Sequence, residues 1–423
     1  MNLPVTSLRP HSAVRKPPKR RRPPVRRRLR IFGWVLCLLV SALMLGRVAL
    51  APRPDTPAAT RTALAQLAWL DKGLEARADR MQDLFPEGRV FTLTLYGLTW
   101  VEIGRGTTDP DLRARAVAEA RRALALAEAP ASLEPFVLAD GLPHGMFYEG
   151  WVGHLRAGIL HLAGGAARDT AFRAACARLN TAFRIHGPLV DSYPDDAWPA
   201  DNAVGAAVLR SCGTLLDPRY ARTAEAWLRG TLARADKATG LIPHHDDSPL
   251  PRGESAALMV RFIYEIDPAV AAAQYDAYQR TFATRFAGLL PAAREYPHGV
   301  RGHEDMDSGP IVLGVAGPAS VVGVAAARIT GHAAAAADLR ASSEVVGMPL
   351  QWGGRRSYAF GELPVGDAFL AWATVVRPWN QPPAPLSPAT PFAGWRVVWT
   401  LLWGVLLALS LARLVALLRR SPA

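Results

Sequence analysis

The sequence predicts an all-α protein, an (α/α)6 toroid flanked by an N-terminal and a C-terminal transmembrane helix. Three observations carry that expectation. Helices of small and apolar residues alternate six times with Ala/Arg-rich amphipathic helices, in units roughly 50–57 residues apart. A polar, Gly/Pro-rich loop precedes each helix of the apolar kind. Two apolar runs, residues 31–50 and 395–418, bracket the alternation, and each is long enough to span a bilayer.

Residues 1–30 hold eleven Lys/Arg and no acid among many prolines, the composition of a disordered basic cytoplasmic tail. Taking those eleven together with Arg413, Arg419 and Arg420 from the net charge of +13 leaves −1 for everything else. A nucleic-acid partner is therefore not expected, because the basic charge is not on the folded part. Basic residues precede the run 31–50 and follow the run 395–418, so the positive-inside rule puts both termini in the cytoplasm. The main domain is then extracytoplasmic, at a bacterial inner (plasma) membrane. Ala49-Leu50-Ala51 also fits a signal-peptide cleavage site, but the long basic region and Arg47 favour an uncleaved anchor. Trp395, Trp399 and Trp403 recur every four residues, as an interfacial aromatic face does.

After a linker at 51–59, the toroid domain covers 60–376. Its apolar, inner helices are expected at 90–103, 148–162, 197–212, 253–266, 308–328 and 364–376. The amphipathic, outer ones are expected at 60–80, 111–129, 169–185, 219–235, 269–287 and 332–346. The Pro-rich stretch 377–394 reads as a semi-rigid spacer to the second span, and 419–423 as a short cytoplasmic tail. Of the three cysteines, Cys37 lies in the first span; Cys176 and Cys212 either pair in an oxidising compartment or remain buried thiols.

In a toroid the loops leading into the inner helices converge on one funnel, and here those loops hold the polar chemistry. The densest is Ser192–Asn202, with three carboxylates, Asp195, Asp196 and Asp201, beside Tyr193, Trp198 and Asn202. Carboxylates before a helix are favoured by its dipole, but three with two aromatics exceed what capping needs. The second loop runs from Asp140-Gly141 to Tyr148, Glu149 and Trp151, with aromatics to stack on a ring or terpene-like chain and an acid or base in Glu149. The fourth carries His244-His245-Asp246-Asp247 and then Arg252 and Glu254. Adjacent ligands rarely point at one ion and no helical HxxxH accompanies them, so no metal is expected there; Arg252 suits a carboxylate or phosphate. The fifth holds His303, Glu304, Asp305 and Asp307, and the sixth Arg355, Tyr358 and Glu362. The catalytic candidates are Asp196 or Asp201 paired with Asp307, with Glu149 and His303 in reserve. Tyr148, Trp151, Tyr193, Trp198, Asn202, Arg252, Glu254 and Tyr358 are the substrate-binding candidates. No motif calls for a cofactor: nucleophilic-serine, P-loop and dinucleotide fingerprints are absent from the sequence.

At Ser192–Asn202 the chain resembles the linalool dehydratase/isomerase family, whose members are (α/α)6 barrels acting on terpene alcohols outside the cytoplasm. Ser192-Tyr193-Pro194 stands where that family has Cys-Glu-Pro, Trp198 where it has an aromatic, and Asp201-Asn202 where it has Cys-Asn. The spacing, the proline, the aromatic and the asparagine match, while both cysteines are replaced. Linalool chemistry itself is therefore not carried over. The leading expectation is an acid/base enzyme acting on a glycan or glycoconjugate. The alternatives are a hydro-lyase or isomerase of small hydroxylated hydrophobic molecules, and a non-catalytic envelope-assembly protein. The sequence leaves the oligomeric state open.

Overall fold

The computed structural model describes residues 25–54, 56–136 and 142–419. The basic tail up to residue 24, Asp140 and Gly141 of the second loop, and Arg420 lie outside the described residues. The described chain is mostly helical and forms two compact units, one of residues 25–44 with 401–419 and the other within residues 45–400.

Most of α1 (Val25–Ala49) and α16 (Trp395–Arg419) belong to the first unit. Both helices are long and apolar enough to cross a membrane, with mean hydropathies of 2.1 and 2.3. The Arg27 guanidinium donates to the Leu417 carbonyl at 2.7 Å, so the start of α1 lies beside the end of α16. Trp395 and Trp399, expected as an interfacial face, are instead buried. Arg396, between them in sequence, donates to Asp338 at 3.1 Å, and all three residues of this first part of α16 belong to the second unit.

The second unit contains α2 (Pro57–Asp71), α3 (Leu74–Leu84), α4 (Gly88–Gly106), α5 (Pro110–Ala127), the single turn α6 (Pro130–Leu133), α7 (Gly145–Ala163), α8 (Thr170–His186), α9 (Pro199–Leu215), α10 (Arg219–Leu232), α11 (Gly253–Ile266), α12 (Pro268–Phe282), α13 (Gly317–Ile329), α14 (Ala333–Val346) and α15 (Pro364–Val375). Helix starts follow local chemistry. Asp109, Asp169 and Asp267 cap α5, α8 and α12 by accepting from their first free N–H groups. Proline occupies the first turn of α2, α5, α9, α12, α13 and α15. The single helix expected over 60–80 is two, because Gly73 at φ 90° breaks it.

Two of the expected helices are shorter, and short antiparallel hairpins take their place. The one expected over 269–287 ends at Phe282 and continues as β1 (Ala283–Phe286) paired with β2 (Leu290–Ala293). The one expected from 308 begins only at Gly317, after β3 (Ile311–Val312) and β4 (Val315–Ala316). Gly309 and Gly314, at φ 57° and 80°, account for that delay, since helix is the conformation they leave. A third hairpin, β5 (Leu350–Trp352) with β6 (Arg355–Ser357), precedes α15.

Helix contacts run α4 to α7, α9, α11, α13, α15 and back to α4, a closed circuit. The others lie outside it: α5 on α4 and α7, α8 and α10 on α9, α12 on α11, α14 on α13, α2 on α15 and α3 on α4. Sixteen of the 19 residues of α4 are buried, against five of the 18 of α5, which is how the apolar and amphipathic patterns separate the two sets. Phe91, Trp151, Phe262 and Trp372, from four helices of the circuit, meet in its middle with centroids 5.1–6.4 Å apart. A disulfide joins Cys176 of α8 to Cys212 of α9, settling the choice left open by the sequence.

The stretch 377–394 is more than a spacer. Trp379 is buried, stacks on His154 at 4.2 Å and donates its indole N–H to Glu102 at 3.0 Å. Glu265 accepts from the backbone N–H groups of Trp379 and Asn380 at 2.9–3.1 Å. The strap thus ties together α4, α7 and α11 at their C-terminal halves, opposite the loops that carry the acids.

Candidate active site

Acidic groups collect where the circuit helices begin. Asp201 and Glu254 lie in the first turns of α9 and α11, Glu87 is the residue before α4, and Asp307 comes from the loop leading to α13. Two close approaches hold these helix starts against their neighbours. Gly145, at φ 71°, lets the start of α7 lie on the Ser192 carbonyl, and Gly253 lets α11 lie on the Arg294 carbonyl; a Cβ at either would collide with that backbone.

Asp201 is the most deeply placed of the acids. Burial pushes its carboxyl up to about 8, the Asp307 and Glu87 charges add to this, and the Ser192 hydroxyl and Trp151 indole N–H oppose it. Burial likewise pushes Asp307 up to about 6, helped by Asp305 and Glu87 and opposed by Arg252. Asp307 is open to solvent yet dominated by burial, the situation of a group on the wall of a recess. Glu254 is raised well above the carboxylate range by burial, by Glu295 and by Asp307. One oxygen each of Glu254 and Asp307 and one ring nitrogen of His244 lie within 4.8 Å of one another. Tyr193 joins from the side: burial, Asp201, Glu87 and Asp307 hold its phenol protonated, so it serves as a donor.

Arg252 organises the opposite wall. Its Nε donates to the fully buried Glu295 at 2.6 Å, and its terminal nitrogens grip Asp305, one of them at 2.9 Å. Nη1 also donates to His244 Nε2 at 3.2 Å. His244 is therefore the neutral tautomer with its proton on Nδ1, facing Ser255 and Glu254, and burial with Arg252 lowers its pKa to about 3. Because Glu295 is bonded to Arg252, the proton of the Glu254–Glu295 pair sits on Glu254. Asp305, gripped by Arg252 and by the Ser308 backbone N–H at 2.9 Å, falls below its usual range although burial opposes this. With Arg252 alongside and both nitrogens of His244 engaged, the His244–Glu254–Asp307 triad favours protons over a metal ion. Asp196, His245 and Asp246 form a second such group near the surface, where His245 bonds Asp196 through Nε2 and Asp247 through Nδ1.

The structure brings Asp201, Asp307, Glu254, Arg252, Tyr193 and Trp151 together, and sends other candidates elsewhere. Asp196 turns to His245, clamping the third loop to the fourth; burial opposes the His245 charge, but Asp196 and Asp247 raise its pKa. Trp198 packs edge-on against His244 and His245 at 4.7 and 4.8 Å. Asn202 is spent on structure: it accepts from Val190 N–H at 3.0 Å and donates to the Val190 and Trp198 carbonyls at 2.9 Å. Glu149 pairs with Arg178 at 2.7 Å, and Tyr148 donates to the Ala127 carbonyl at 3.1 Å. Glu149, two positions before the inward-pointing Trp151, faces the outer side of α7, and the Tyr148 hydroxyl is drawn to the end of α5. They line an outer cleft of about 380 Å³. Tyr358 is locked between Arg340 at 2.7 Å and Glu344 at 2.6 Å. His303 is exposed, and its carbonyl accepts from Tyr296 at 2.8 Å.

Glu87 and Glu295 escaped the sequence reading. Glu87 had a signal: Phe85-Pro86-Glu87-Gly88 precedes an inner helix as the other acidic loops do. Glu295 had none, since it lies beyond β2 and reaches the site through long-range packing on Arg252. No model of a known protein family matches the chain, and a search of curated proteins gives no match.

Proposed function

We propose that residues 60–376 form an (α/α)6 toroid, held outside the cytoplasm by two transmembrane helices, that performs acid/base chemistry on a glycan or glycoconjugate. The closed circuit of helices with its outer set supports the toroid. The basic flanks of α1 and α16 support the orientation, as does the Cys176–Cys212 disulfide, since such bonds persist in oxidising compartments. The observation that carries the chemistry is the pair Asp201 and Asp307, whose pKa values of about 8 and about 6 lie on either side of neutrality. Near pH 7 Asp201 holds its proton and acts as general acid, while Asp307 is mostly ionised and acts as general base. Protonated Glu254 and Tyr193 donate hydrogen bonds to substrate hydroxyls, and Arg252 anchors the loop bearing Asp307 through Asp305.

The experiment is turnover by the full-length chain in lipid nanodiscs on cell-envelope glycans, compared with Asp201→Asn and Asp307→Asn. Each substitution is expected to remove turnover while circular dichroism stays unchanged, and wild-type kcat/KM is expected to be bell-shaped with limbs near the two pKa values. Unchanged turnover in either variant refutes the pairing. The aromatic floor of Phe91, Trp151, Phe262 and Trp372 beneath the acids favours a second reading, a hydro-lyase or isomerase of small hydroxylated hydrophobic molecules resembling linalool dehydratase/isomerase. Terpene alcohols tested in the same assay separate the two.

A further inference from the structure

An apolar surface stands out at the end of α14. Val346, Met348, Leu350 and Trp352 alternate along the chain into β5, and all four are exposed, Trp352 to 88 %. Leu350 and Trp352 share one face of β5, and the exposed Val346 and Met348 precede them at the end of α14 and in the turn that follows it. Phe360, 58 % exposed, and Leu363 are further exposed apolar side chains, soon after the hairpin in sequence. The backbone is bent unfavourably to form this surface: Met348, Ala359 and Phe360 have φ of 44°, 46° and 58°, a region that non-glycine residues seldom occupy. Soluble surfaces rarely hold a contiguous apolar patch of this kind without a partner.

The surroundings point to one partner. Arg355 faces Trp352 across the hairpin, is exposed, and has no carboxylate bonded to it among the described residues. Tryptophan beside an unpaired arginine suits the headgroup region of a bilayer, where the indole sits among acyl-chain ends and the guanidinium meets phosphate. Arg47, in the last turn of α1, donates to the carbonyl of Val345, the residue immediately before the stripe. The stripe thus begins where the chain emerges from its first membrane-length helix.

We infer that the β5–β6 hairpin and Phe360 form an interfacial membrane contact, with Trp352 seated in the headgroup layer and Arg355 on lipid phosphate. The inference rests on α1 and α16 being membrane spans, and it is independent of the acid/base chemistry.

The test uses the full-length chain in liposomes containing phosphatidylglycerol, with a fluorophore on one cysteine at a time. Native Cys37, the free cysteine in α1, reports whether that helix is in the bilayer. Trp352→Cys in a Cys37→Ser background reports the hairpin, and Lys237→Cys in the same background is the exposed reference. The Trp352→Cys label is expected to be quenched severalfold more by headgroup-proximal spin-labelled lipid than the Lys237→Cys label, and severalfold less by aqueous iodide. If it behaves as the Lys237→Cys label while Cys37 is quenched by lipid chains, the membrane contact is overturned and the spans stand. Shielding from both quenchers would mean that a second copy or another protein surface covers the stripe, and would also overturn it. Iodide quenching at Cys37 would remove the spans and this inference together. Folding is not at risk, because Trp352 is nearly fully exposed.

Discussion

Replacing Asp201 by Asn should stabilise the protein, and by an amount that depends on pH. Below its ordinary 3.8 the carboxyl holds its proton in both folded and unfolded chains. Between 3.8 and about 8 only the folded chain holds it, so each rise in pH favours unfolding; above 8 both have lost it. The wild-type protein therefore loses stability as pH climbs through this window, whereas an amide at 201 does not titrate. A window of about 4 in pH at 1.36 kcal/mol each sets a ceiling of about 6 kcal/mol on the difference. The opposing Ser192 and Trp151 contributions are already inside the value of about 8, so the expected gain rises from about 0 at pH 4 towards that ceiling at pH 9. Urea denaturation of both proteins in the same detergent, at pH 4, 6 and 9, reads this directly. Glu254 and Asp307 titrate in both proteins, so the comparison isolates Asp201. An equal difference between the two midpoints at every pH would refute the reasoning, because Asp201 would then not be held neutral.

Three further outcomes test the surroundings of the site. The Cys176→Ala/Cys212→Ala double variant releases a 36-residue loop and should lose about 4 kcal/mol, read from thermal unfolding with and without reductant. Trp379→Ala should cost about 3–5 kcal/mol through the cavity it leaves among α4, α7 and α11. Trp379→Phe should cost about 1–3 kcal/mol, because it keeps a ring on His154 but takes the donor from Glu102; unchanged stability in Trp379→Phe would deny that hydrogen bond a role. Arg252→Met strands the buried Glu295 and frees Asp305, so it should cost about 3–5 kcal/mol and speed proteolysis at residues 299–310, with Arg252→Lys recovering part of both.

Periodicity made the helices legible, since an apolar-all-round pattern and a one-sided pattern are different physical demands that alternate without exception from residue 60 to 376. The hairpins were less legible. Small and apolar residues at 308–316 match a helix in composition, and Gly309 and Gly314 decide otherwise through backbone freedom. Asp201 and Glu254 were found because they lie at the starts of inner helices, and that position places a side chain at one end of the circuit; Asp307 lies ten residues before α13, in the loop that leads to it. Position failed for Glu149, where a three-residue error in the helix start turned the side chain from the centre to the rim. It failed for Asn202 because an amide in an acidic loop serves the backbone as readily as a ligand. Arg252 was read as a ligand for a carboxylate or phosphate; it binds the protein's own carboxylates, Glu295 and Asp305, the first a residue with no local signal.

The most direct test of the acid/base account is the protonation state of Asp201 near neutral pH. Infrared difference spectroscopy of the purified protein, titrated from pH 5 to pH 10 beside Asp201→Asn, resolves the carbonyl band of a protonated carboxyl. A band that persists at pH 7, fades near pH 8 and is missing from the variant is the predicted result. A carboxyl at 201 already ionised at pH 6 would contradict the account, because no general acid would then face Asp307.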